Sequence, residues 1–168
     1  MRPNYTTIVT PIVVGREGLL KQYLRDHAEP RPGSLCEDFL RCRSLFAFDK
    51  IKCLHFCSFS ILDEDGEFGP SLILEATFDG SRADFLRELW RVAPAGMHAV
   101  YGHCVGYPAT GLAVPELIEE YLVRHDVGAD TFFSGCPGRC VAQIQGESRV
   151  RSEIVAFLSS RQAADAPP

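Results

Sequence analysis

The order in which hydrophobic periodicity changes along this chain constrains its fold more than any motif does. A period-two segment over residues 5–14, rich in Thr, Ile and Val, ends at Gly15. Residues 16–27 then carry Leu19, Leu20, Tyr23 and Leu24 at helical spacing. Two more period-two segments, 51–62 and 71–78, flank the polar turn Asp63-Glu64-Asp65-Gly66-Glu67-Phe68-Gly69, which is a hairpin pattern. Asp79-Gly80-Ser81 opens a second helical segment, with Ser81 and Asp84 placed as in a capping box and Phe85, Leu86, Leu89, Trp90 and Val92 as its apolar stripe. Pro94 and Gly96 read as its end, and 97–104 as a fourth strand running into Gly106-Tyr107-Pro108. This β-α-β-β-α-β order is that of a ferredoxin-like split unit, so the expected fold class is α+β with an antiparallel sheet.

Beyond Pro108 the pattern is helical only. Pro115 suits a first turn, with Leu117, Ile118, Tyr121 and Leu122 following at helical spacing. After Gly135-Cys136-Pro137-Gly138 a last helix carries Val141, Ile144, Val150, Ile154, Phe157 and Leu158. The expected organisation is a ferredoxin-like domain over 1–108, a helical extension of it over 109–161 and a frayed tail over 162–168. A long connection between the first helix and the second strand, with 35–48 as a short helix or ordered loop, is the kind of segment a compact domain keeps for function.

At 168 residues, 46% of them hydrophobic and 23% charged, the chain suits one globular domain and is short for two. A net charge of −5, with no clustering of Lys and Arg among aromatics, argues against nucleic-acid binding. No apolar run reaches the roughly 20 residues that a bilayer requires. Residues 1–5 enter a strand pattern without a signal-peptide hydrophobic region, so a cytoplasmic location is expected. Seven cysteines cannot all pair, and they read mainly as reduced, inert thiols.

A sheet covered by helices on one face leaves the other face for solvent, a ligand or a partner. Alternation puts Leu72, Leu74, Ala76 and Phe78 under the helices and Ser71, Ile73, Glu75 and Thr77 on the open side. Cys53, His55, Cys57 and Phe59 share one face of the preceding strand. With 97–104 as a strand, His55, Glu75, Tyr101 and His103 line one cavity, a register that a one-residue slip reverses. His55 beside Glu75 has the composition of a general base oriented by a carboxylate, against the plainer reading of a histidine bonded to backbone. His103 reads as a base, a haem ligand or a structural residue, and Cys104, pointing the opposite way on a strand, cannot share a metal with it. Cys136 and Cys140, spaced Cys-x-x-x-Cys around Arg139 at a helix start, form a candidate redox pair or an activated thiol. The spacing is not that of a zinc site, and the acidic turn at 63–67 lacks the length of a calcium loop. There is no Walker loop, dinucleotide fingerprint or nucleophile elbow.

The segments Leu54-His55-Phe56, Leu74-Glu75-Ala76-Thr77-Phe78-Asp79-Gly80 and Gly102-His103-Cys104-Val105-Gly106-Tyr107-Pro108 resemble a little-described bacterial family. That family is marked by His-Phe-Ala-Arg, Glu-Ser-Asn-Phe-Asp-Gly and Gly-His-Cys-Glu-Gly-Tyr-Pro segments. Phe132-Phe133 and Val141-Ala142-Gln143-Ile144 are similar to its C-terminal pattern, so the likeness extends over about residues 6–158. The family resembles the ferredoxin-like dimeric α/β-barrel group, in which two subunits pack sheet against sheet around a pocket each. That group includes cofactor-free monooxygenases, polyketide cyclases and haem proteins such as chlorite dismutases and dye-decolourising peroxidases. Cys57-Ser58 stands where the family has Ala-Arg, which removes a fixed cation.

The resemblance and the residues together imply a homodimeric small-molecule enzyme with a largely apolar pocket, tailoring an organic metabolite by oxidation or cyclisation. His55, Glu75, Tyr101 and His103 are its expected acid–base or orienting groups, while Trp90 and Tyr107 pack. The alternatives are a haem protein with His103 or another of the five histidines as axial ligand and a non-catalytic binding or dimerisation module.

Overall fold

The computed structural model describes residues 3–27, 46–112, 114–135 and 137–164. Three strands, β1 (Pro3–Pro11), β2 (Leu54–Leu62) and β3 (Ser71–Asp79), form an antiparallel sheet in the order β1-β3-β2. Helix α1 (Glu17–His27) connects β1 to the segment leading into β2; α2 (Arg82–Val92), α3 (Pro94–Tyr101), α4 (Pro115–Arg124) and α5 (Val141–Ala164) follow β3. The expected loop at 35–48 falls mostly outside the described residues, and α5 continues as helix past Gln162, where the tail is expected.

Alternation decides the core. Ile8, Thr10 and Ile12 of the first strand and its extension are buried, as are Leu72, Leu74, Ala76 and Phe78 of β3, so the period-two reading of the covered face holds. The stripes of α2 and α4 close over them, with Phe85 stacked on Phe78 at 4.3 Å between ring centroids. Ser81 caps α2 as expected, its hydroxyl accepting the Asp84 N–H at 3.1 Å.

The fourth strand is absent. Residues 97–104 form most of α3 and the turn after it, because Ala93, Met97, Val100, Tyr101 and Cys104 bury one face at spacings of four, three, one and three. Pro94 opens this helix at its first position, where a missing N–H costs nothing, instead of ending the one before. The outer edge of β1 is sealed by two short bridges. Val13 donates to His103 O (2.9 Å) and Val105 to Pro11 O (2.8 Å). Further along, Val9 donates to His125 O (3.0 Å) and Val127 to Thr7 O (2.9 Å). The backbone groups that a fourth strand would satisfy are thus paired by two different loops, which removes a sticky edge.

Candidate functional site

The chemistry on the sheet gathers where β2 departs from regular pairing. Leu54 lies opposite Phe78 and Phe56 opposite Thr77, so His55 is the extra residue of a β-bulge. The bulge shifts the downstream alternation: Leu54, Cys57, Phe59 and Ile61 oppose the buried residues of β3, while Phe56, Ser58 and Ser60 oppose Thr77, Glu75 and Ile73. His55 is thereby turned toward the last residue of β3, and its Nε2 lies 3.0 Å from Asp79 Oδ1. The other Asp79 oxygen accepts the N–H of Val141, the first residue of α5, at 2.7 Å. Both side chains are largely shielded from solvent, Asp79 at 8% exposure.

This arrangement fixes the imidazole. A carboxylate has no proton to give, so Nε2–H donates to Asp79 and the lone pair resides on Nδ1. The ring borders a cleft of about 220 Å³ together with Pro3, Thr77, Phe132, Phe133, Ser134, Arg139 and Ile144. Arg139 is ion-paired with Glu147, yet its Nε is buried and has no acceptor among the described residues. A neighbouring cleft of about 230 Å³ shares Thr77 and Phe132 and contains Tyr5, Phe56 and Glu75. Phe132, stacked on Tyr5 at 4.8 Å, stands between the two. Glu75 is therefore on the open face but opposite Ser58, in the cleft next to that of His55, and Asp79, which the pattern gives only as part of the opening of the second helix, takes the orienting position. An Asp two residues before a helix-capping Ser, at the end of a buried strand, is the signal that was present.

The other expected site residues are elsewhere. Tyr101 is fully buried on α3 beneath the covered face, edge-on to Phe59 and Tyr121. Burial pushes its hydroxyl well above the ordinary range, and that hydroxyl has no hydrogen-bond partner among the described residues. His103 lies at the opposite end of β1 from His55, about 25 Å away along the strand. Burial, reinforced by the Arg16 guanidinium, holds its pKa below 6.5. Glu75 and Tyr101 thus lie on opposite faces of the sheet, and the single cavity expected from a fourth strand does not form, because that strand is a helix. Cys104 hydrogen-bonds Thr10 (3.4 Å), and burial raises its thiol to about 11, the state of an inert cysteine. Cys140 is half-buried, and Cys136 lies outside the described residues.

Haem does not fit at His103. None of the clefts described borders it. Among the described residues no group of three His, Cys, Asp or Glu side chains could hold a metal ion. A groove of about 660 Å³ lies between α2 and α4 over Leu86, Trp90, Ile118 and Leu122. Its rim arginines are already paired, Arg87 with Asp84 and Glu119, Arg91 with Glu88, so it offers area without a reactive group. Among the described residues no helix is long and apolar enough to cross a membrane. No family model, curated protein or solved structure matches the chain.

Proposed function

We propose that this protein is a homodimeric small-molecule enzyme that cyclises an organic metabolite by acid–base chemistry, with His55 as the base. The bulge that aims His55 at Asp79 carries the reading, since bulges next to sites commonly re-aim a side chain and cost regular pairing to do so. His55 Nδ1 takes a proton from carbon next to a carbonyl, and the imidazolium that forms is balanced by Asp79. The enolate oxygen is met by the guanidinium of Arg139, which lines the same cleft. The carbanion then closes on a second carbonyl of the same molecule, and His55 returns its proton to the new alkoxide. Phe132 and Phe133 supply the apolar wall.

The ferredoxin-like assignment belongs to this proposal too. A sheet ordered β1-β3-β2, with residues 103–105 bonded on the free edge of β1, suits such a unit whose fourth strand has shrunk to a bridge. Arg139 would replace the cation that the family resemblance places at Ser58.

Deuterium wash-in from heavy water into a panel of small 1,3-dicarbonyl compounds, followed by NMR, tests the chemistry. Wild type is expected to exchange one or more of them, and His55→Ala to lose roughly 100-fold or more. Exchange at wild-type rate in His55→Ala would overturn the assignment of the base.

A further inference from the structure

Residues 142–161 of α5 are exposed, including Val150, Ile154, Phe157 and Leu158, each more than half accessible. A 24-residue helix spans about 36 Å, and such a helix ordinarily owes its stability to packing of an apolar face. Among the described residues α5 is held near its start, by Val141 on the Asp79 carboxylate and by the ion pair of Glu147 with Arg139.

The order of residues along α5 says what covers it. Counting outward from Ile154 in both directions, Arg151 and Phe157 stand three residues away and Val150 and Leu158 four. Seven residues away are Glu147 and Arg161, each two turns from Ile154 and so on its stripe. A second α5, antiparallel and related by a twofold axis at Ile154, sets Ile154 on Ile154, Val150 on Leu158 and Arg151 on Phe157, and brings Arg161 to Glu147, whose carboxylate is then shared between Arg139 of its own chain and the second copy. Apolar residues meet apolar ones, a cation meets an aromatic ring, and opposite charges meet, twice over by symmetry. In a parallel pairing in register, Glu147 would face Glu147 and Arg161 would face Arg161.

We infer that α5 is an interface for a second copy of this chain, which docks antiparallel about Ile154. This gives the homodimer of the proposed function an interface on α5 in place of the sheet-against-sheet one that the resemblance implies, and it is independent of the chemistry, so wash-in activity and assembly can fail separately.

Sedimentation equilibrium of the full chain tests it. Wild type is expected to dimerise at micromolar concentration, and Ile154→Glu to be monomeric with an unchanged near-UV spectrum, because its side chain lies outside the core. Glu147→Arg and Arg161→Glu are each expected to weaken the dimer about fivefold, and the double variant to recover most of that loss. The control for folding is the double variant itself, which carries both changes. A monomeric wild type would overturn the inference. So would a dimer indifferent to Ile154→Glu, or one broken only by Phe56→Glu on the sheet, and so would a double variant weaker than either single one.

Discussion

Asp126 shows how much one side chain can hold in place. Its Oδ1 accepts the N–H of Gly128 (2.9 Å) and of Thr7 (3.2 Å), and Oδ2 is ion-paired with Arg82. It thus ties the second bridge on the edge of β1 to the start of α2. Burial acts to raise its pKa, but the Gly128 N–H, the Arg82 guanidinium and further hydrogen bonds outweigh this and hold it below 3.8. A carboxylate whose folded pKa is depressed stabilises the fold fully above its unfolded value, and that contribution is lost as pH falls through the folded pKa. Asp126→Ala leaves two backbone donors without their acceptor and is expected to cost about 2 kcal/mol at pH 7 in urea titrations. The gap from wild type should narrow below about pH 4. Tyr101 is the opposite case. Its hydroxyl is buried without a partner among the described residues, so Tyr101→Phe is expected to raise stability by about 1 kcal/mol and leave wash-in activity intact. A loss of activity in a stable Tyr101→Phe would return that residue to the site. His103, with its pKa depressed, disfavours the folded state as pH falls below 6.5. His103→Gln should flatten the decline in stability between about pH 6.5 and 5 in thermal melts, and a decline as steep as wild type would show that other groups cause it.

Among the elements, those with unambiguous periodicity were legible from sequence: β1, α1, the β2–β3 hairpin, α2 and α4 lie within a few residues of where pattern places them. Two local choices were not. Residues 97–104 alternate well enough to suit a strand, since His98, Val100, Gly102 and Cys104 share one parity, but they also satisfy the helical spacing of Met97, Val100, Tyr101 and Cys104. Tertiary burial chose the second, and the Pro94 that signals a stop is a start. The bulge at His55 was equally hidden, because a bulge without Gly leaves no sign in the sequence, and it moves each later residue of β2 to the other face from the one alternation gives. The candidate site followed from that single inserted residue: His55 and Glu75 were readable as open-face chemistry, whereas Asp79 as its partner required the register.

At the scale of the molecule, the structure has three tiers of constraint. The sheet and its covering helices enclose one core, the edge of β1 is closed by loop backbone, and α5 projects from the sheet's end by its first turn. These tiers predict three classes of amide exchange. Amides of β3, flanked on both sides, should exchange only through global unfolding. Those of Val9, Val13, Val105 and Val127 lie on the edge yet are bonded at 3.0 Å or less, so they should be protected well above the level of the turn at 63–69. An edge that exchanges as fast as that turn would show the bridges to be transient. The amides of α5 belong to neither class, because the side chains over residues 142–161 are exposed. If antiparallel pairing about Ile154 supplies the missing face, their protection must rise with protein concentration while that of β3 stays fixed, and Ile154→Glu must abolish the rise. Concentration-independent protection in α5 would mean that the helix stands on propensity alone, an outcome that Gly146 and its largely exposed apolar residues argue against.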